Sequence, residues 1–151
     1  MKILVADNIA DVGIAALMEA GHTLIEKPGL SGEALVDTLQ ARAPEVLVVR
    51  STKVTPEALD ASPALALIVR AGAGYDTIDV EGAANRGIFV ANCPGKNSTA
   101  VGELTLGLIL ALDRRIPDNV IDARAGQWNK KVYAQAEGLK GRTIGVVGLG
   151  N

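Results

Sequence analysis

Short apolar runs with no polar residue between them punctuate the first part of this chain: Ile3-Leu4-Val5-Ala6, Val46-Leu47-Val48-Val49, Leu65-Ala66-Leu67-Ile68-Val69 and Ile88-Phe89-Val90-Ala91. A strand with one wet face alternates apolar and polar residues. A strand apolar at every position is covered on both faces, which is the habit of parallel sheets. A shorter run, Thr23-Leu24-Ile25, lies between the first two. The intervening segments have helical spacing and helical punctuation. Asp7 or Asn8 can cap a first helix whose apolar stripe is Ile9, Val12, Ala16, Leu17 and Ala20, with Gly21 just past its end. Ser31 can cap a second, with Leu35, Val36 and Leu39 inward. Thr55-Pro56 has the form of a cap and first helical residue, and Asp79 can cap a helix that stops at Gly87. Strands alternating with short helices predict an α/β fold, a doubly wound parallel sheet of flavodoxin-like order 2-1-3-4-5.

From Ser98 the character changes. Residues 101–112 are apolar on all sides, which predicts a helix that needs cover all round. Pro117 restarts a second helix that ends near Gly126. Gln127-Trp128-Asn129-Lys130-Lys131 follows, polar apart from the tryptophan. Arg142 to Gly150 has the pattern of a strand, Ile144 to Val147, leading into the first two glycines of a G-x-G-x-x-G dinucleotide fingerprint, Gly148 and Gly150. The sequence stops at Asn151, ahead of the third glycine and of the acidic residue expected about 20 positions on. The expected division is 1–97 for the sheet domain and 98–151 for a helical arm plus the first strand of a Rossmann domain.

Composition excludes several classes. The 151 residues carry a formal charge of −2, and no long basic run argues for nucleic acid. Aromatics are 3%, too few for base-stacking platforms. The apolar run from Leu104 to Leu112 is too short for a bilayer. Cys93 is the single cysteine, which rules out an internal disulfide and fits a reducing cytoplasm. Met1 leads directly into a strand, so no signal peptide is expected. No group of residues suggests a metal site.

In a parallel sheet the loops after successive strands open on one edge, where such sheets bind ligands. Ala71-Gly72-Ala73-Gly74 and Cys93 to Ser98 are two such loops. Backbone N–H groups around Ala73 and Gly74 suit a small anion, although plain tight turns would use the same glycines. Arg50, Ser51, Arg70, Lys96 and Asn97 fall on the same rim. Arginine forks match phosphate and carboxylate oxygens. The alternatives are surface ion pairs for Arg50 and Arg70 and a helix cap for Asn97. His22, the single histidine, falls at the opposite edge and is expected to be a surface residue. A phosphorelay receiver shares the strand order but needs an acceptor aspartate where Arg50 stands, which excludes it.

The series GAGYDTID…A..RGI.V.N.PG.N…VGEL, with VVRSTKVTPEAL before it and GQWNKK after it, resembles the D-isomer-specific 2-hydroxyacid dehydrogenases, and among them the 3-phosphoglycerate dehydrogenase branch. Gly102 departs from the family's usual alanine. The resemblance implies NAD as cofactor, a small anionic 2-hydroxy or 2-keto acid as substrate and a homodimer. It places the substrate carboxylate at Ala73 and Gly74, close to the nicotinamide, and the distal group at Arg50 and Ser51. It puts Lys130 near a partner subunit's phosphate. Gly148, Gly150 and Asn151 belong to the cofactor turn. The family's catalytic Arg, Glu and His match no residue of this sequence, so the chain is expected to be a substrate-binding lobe without turnover. Within the same family, a glyoxylate or hydroxypyruvate reductase and a non-catalytic NAD-sensing module are the alternatives.

Overall fold

The computed structural model describes residues 1–148 and divides the chain into two compact units, Met1–Lys96 and Asn97–Asn151. In the first unit five strands alternate with four helices: β1 (Lys2–Val5), α1 (Asp11–Glu19), β2 (Thr23–Glu26), α2 (Gly32–Arg42), β3 (Val46–Val49), α3 (Pro56–Asp60), β4 (Leu67–Arg70), α4 (Val80–Asn85) and β5 (Phe89–Ala91). The sheet is parallel throughout, in the order β2-β1-β3-β4-β5. This is the order that the apolar runs and the family resemblance predict.

The unbroken apolar runs are explained by two cores. On one face Leu4, Ala6, Leu47, Val49 and Ile68 meet Leu35 and Leu39 of α2 and Ala58 and Leu59 of α3. Burying each such leucine or isoleucine stabilises the fold by roughly 1.5–3 kcal/mol. On the other face Ile3, Val5, Val46 and Val48 pack with Ile9, Ile14 and Leu17.

The α1 expectation needs correction. The helix starts at Asp11, behind Ala10, which is extended at φ −65° and ψ 139° and offers no side-chain cap. Asp7 is engaged by the loop after β3, so the chain runs on before it winds. The later start turns the helix. Val12 is 78% exposed, and Ala16 and Ala20 also face water, while Ile14 takes the inward position. Elsewhere the helix starts fall where the punctuation puts them, but of the three expected caps only Asp79 makes its bond. Asp79 accepts the N–H of Gly82 at 2.9 Å. Ser31 and Thr55 occupy N-cap positions without making a side-chain bond. Gly87, at φ 70°, ends α4 in a conformation that other residues rarely adopt.

The second unit contains α5 (Ser98–Asp113), α6 (Ile116–Arg124) and α7 (Lys130–Tyr133). No residue of α5 is buried, and Leu112 is 79% exposed. Polar bonds fasten α6 to α7. Asp122 accepts from Asn129 Nδ2 at 2.8 Å and from the Tyr133 hydroxyl at 2.6 Å, which raises the Tyr133 pKa and lowers that of Asp122. The Arg115 guanidinium lies 5.3 Å from the centre of the Tyr133 ring. The predicted strand at 144–147 does not form: residues 142–148 are in neither helix nor strand, and Val147 is fully exposed. An apolar run becomes a strand only where another strand pairs with it. No helix among the described residues is long and apolar enough to cross a membrane.

Candidate functional site: a cross-tied rim at the carboxyl ends of the strands

The parallel topology brings the ends of β1, β3, β4 and β5 to one edge of the first unit. Asp7, just past β1, fixes the turn after β3. Its Oδ2 accepts the N–H groups of Arg50 at 2.7 Å, Ser51 at 3.0 Å and Thr52 at 2.9 Å, and its Oδ1 accepts the Ser51 hydroxyl at 3.1 Å. Burial alone would raise the Asp7 pKa. The N–H donors of Arg50, Thr52 and Ser51 outweigh it and hold the carboxyl at about 2. Thr52, buried, donates its hydroxyl to the Leu30 carbonyl at 3.0 Å, tying in the loop after β2.

The glycine-rich loop after β4 is held at both ends. Ala71 N–H donates to the Val49 carbonyl at 2.7 Å, Cys93 N–H to the Gly72 carbonyl at 2.9 Å and Asn92 Nδ2 to the Ala73 carbonyl at 2.6 Å. At its far end Val54 N–H donates to Thr77 at 2.9 Å, and Asp79 N–H to Val54 at 3.2 Å. The N–H groups of Ala73 and Gly74 donate to no acceptor among the described residues. They share this with the N–H groups of Tyr75, Asp76 and Thr77, and they are the open donors nearest the end of β4.

Arg50 and Arg70 form no ion pair among the described residues, contrary to the surface-pair alternative. The Arg50 side chain is exposed. Arg70 is half-buried, and its guanidinium lies across Gly72 where a Cβ would otherwise sit. Its Nε is buried without a partner. Lys96 is exposed in the turn after β5. Ser51 differs from expectation in one respect: its hydroxyl is engaged by Asp7 rather than free. His22 is half-buried between α1 and β2, at the opposite edge.

Asn97 and Lys130 belong to the second unit. Asn97 holds the N-cap position of α5 and makes no capping bond. Lys130 opens α7 and lines a cavity of about 210 Å³ with Asn119, Trp128, Asn129, Tyr133 and Ala134. Trp128 is 82% exposed. Gly148 has φ +103°, a conformation that favours glycine. Gly150 and Asn151 lie outside the described residues.

The sequence pattern of the family described as D-isomer specific 2-hydroxyacid dehydrogenase, catalytic domain, matches residues 3–148. The chain belongs to this family. It is 39% identical over 150 residues to the D-3-phosphoglycerate dehydrogenase of Homo sapiens and 42% identical over 151 residues to that of Methanocaldococcus jannaschii. It is 99% covered in both matches and spans 28% of each relative's length. Among solved structures it is similar to the NAD⁺-bound 3-phosphoglycerate dehydrogenase of Entamoeba histolytica, with a TM-score of 0.66 and 32% identity. That match covers 76% of this chain and 39% of the other.

Two residues of this rim receive no site role from the sequence. Asp7 reads there as a helix cap, and Asn92 stands in the family motif without an assigned contact. Their partners are 43 to 45 and 19 residues away. The usable signal for Asp7 is its place, a carboxylate just past a strand buried on both faces and level with the turn after the neighbouring strand.

Proposed function

We propose that this chain is the substrate-binding lobe of an NAD-dependent D-2-hydroxyacid dehydrogenase acting on a phosphorylated hydroxy acid, 3-phosphoglycerate. The observation that carries this is the pairing, on one rim, of open N–H donors at Ala73 and Gly74 with arginines that have no counter-ion among the described residues. A carboxylate suits the N–H donors, and a distal phosphate suits the Arg50 guanidinium. Arg70, with its buried unpaired Nε, and Lys96 supply further positive charge. Asn97 and Lys130 are assigned to substrate contact, Lys130 toward the partner subunit of a homodimer. The identity to phosphoglycerate dehydrogenases supports the substrate, and the NAD⁺ in the Entamoeba relative supports the cofactor.

The positive φ of Gly148 suits a turn that must approach a pyrophosphate closely, while the strand that would lead into that turn is not formed in residues 142–148. Gly148, Gly150, Asn151 and Ala73 would hold the cofactor, which supplies the hydride acceptor when bound. This chain's own part is to bind and orient. Hydride transfer also needs a proton acceptor beside the substrate hydroxyl, and His22 stands at the wrong edge for that role. The 151 residues alone are therefore expected to bind substrate without turning it over. The test is NAD reduction by the complete dehydrogenase with 3-phosphoglycerate set against unphosphorylated hydroxy acids. A preference for glyoxylate or hydroxypyruvate in the reverse direction would replace the phosphate assignment with that of a reductase.

A further inference from the structure

We infer that Asp7 is the positioning residue of the distal-anion seat: it folds the Arg50-Ser51-Thr52 turn around its carboxylate and dictates which atoms that turn presents to a ligand. The inference rests on the proposal that this turn receives the substrate's distal group. Three successive N–H groups converge on Oδ2, so the backbone of the turn points into the protein. What remains facing the ligand is the Arg50 side chain and the outer side of Ser51. The carboxylate is ionised, with its pKa held at about 2, and has no proton to give. The contact at 3.1 Å must therefore carry the serine's proton. Ser51 is left with lone pairs alone to offer outward. It can accept from a ligand hydroxyl and cannot donate to an anionic oxygen, so the negative charge falls to Arg50.

A bare aspartate beside an anion seat would repel the ligand. Here its charge is answered by four donors on the protein side. An asparagine at this position can keep an oxygen toward the three N–H groups and turn its amide toward Ser51 Oγ. That arrangement retains the turn and reverses the serine hydroxyl, freeing its proton for the ligand.

The test uses the ¹⁵N-labelled chain, inorganic phosphate as probe, and the variants Asp7→Ala and Asp7→Asn. In the wild type, phosphate is expected to shift the Arg50 and Ser51 amide resonances. Asp7→Ala should weaken that binding roughly tenfold or more and speed hydrogen exchange at residues 50–52. The amides of Ile88 and Phe89, bonded to Ala83 and Ala66 away from the rim, should stay protected, showing that the fold persists. Asp7→Asn should hold residues 50–52 protected and bind phosphate within roughly threefold of wild type, or more tightly. If Asp7→Ala does not fold, Asp7→Asn decides alone. Unchanged phosphate affinity in a folded Asp7→Ala chain overturns the role of Asp7 and leaves the anion seat standing. Loss of binding or of amide protection in Asp7→Asn also overturns that role. No phosphate response in the wild type removes the seat itself, and with it this inference.

Discussion

The carboxylate of Asp7 and the hydroxyl of Ser51 lie 3.1 Å apart, joining residues 44 positions distant in sequence across the ends of two neighbouring strands. The same carboxylate holds three N–H groups, and its pKa falls from 3.8 to about 2. A folded-state pKa below the unfolded one means that the ionised form stabilises the fold. That contribution is complete above about pH 4 and disappears as pH falls through about 2. Asp7→Asn lacks it. The stability difference between wild type and Asp7→Asn, from urea midpoints across a pH series, should be flat at neutral pH and move steadily in the variant's favour below about pH 4. A difference independent of pH would contradict the donor set.

Gly72→Ala separates packing from function. Gly72 is not in the left-handed region, so its backbone accepts alanine, but the new Cβ meets the Arg70 guanidinium. That group is the end of a flexible side chain and can move aside. Stability should change by about 0.5 kcal/mol or less. The KM of the complete dehydrogenase for its anionic substrate should rise roughly tenfold, because Arg70 is displaced from the rim. A large loss of stability with unchanged KM would show that Arg70 serves the fold.

Arg50→Ala should leave stability unchanged, since the bond from its N–H to Asp7 survives and its side chain is exposed. A charge-assisted hydrogen bond contributes about 1.5–3 kcal/mol, roughly ten- to a hundredfold in affinity. The loss should appear with phosphorylated substrate and be small with an unphosphorylated one. Equal losses for both would exclude a phosphate contact.

Helix α5 makes the chain by itself a poor monomer. Val101, Leu104, Leu106, Leu108, Leu110 and Leu112 are all exposed, a larger apolar surface than monomers usually carry. Light scattering across a concentration series should show mass rising with concentration. A constant monomer mass would refute this.

Lys130 beside Trp128 can be tested by mixing subunits. If Lys130 serves its partner's substrate, a heterodimer of Lys130→Ala and Arg50→Ala subunits holds one site with both defects and one with neither. At low substrate it should recover about half of the activity of an intact dimer. No recovery would end the cross-subunit assignment.

The sheet was legible because residues such as Val46 to Val49 are apolar at every position, which only a strand covered on both faces explains. Strand order followed from helical segments between strands and from the family motif. Helix α1 was misphased because its start depends on Asp7, whose partners lie far along the chain. Local pattern assigned that aspartate to the nearest helix. The predicted strand at 144–147 failed for the related reason that pairing is not a local property. At the site, sequence placed Arg50, Arg70 and the Ala73-Gly74 loop on one edge through topology. It could not show that the Ser51 hydroxyl is already engaged or that Asn92 holds Ala73, because both are side-chain contacts between strands.

Each loop on the rim is secured by its neighbour: Asp7 holds the turn after β3, Thr52 holds Leu30, Val54 holds the far end of the β4 loop, and Asn92 and Cys93 hold its near end. Releasing any one of them loosens the next, so the rim should open as a single cooperative patch rather than loop by loop. A ligand arriving there meets donors already set in place by folding. Its association should be governed by electrostatic encounter, faster at low ionic strength, and not by the waiting time for a segment to close.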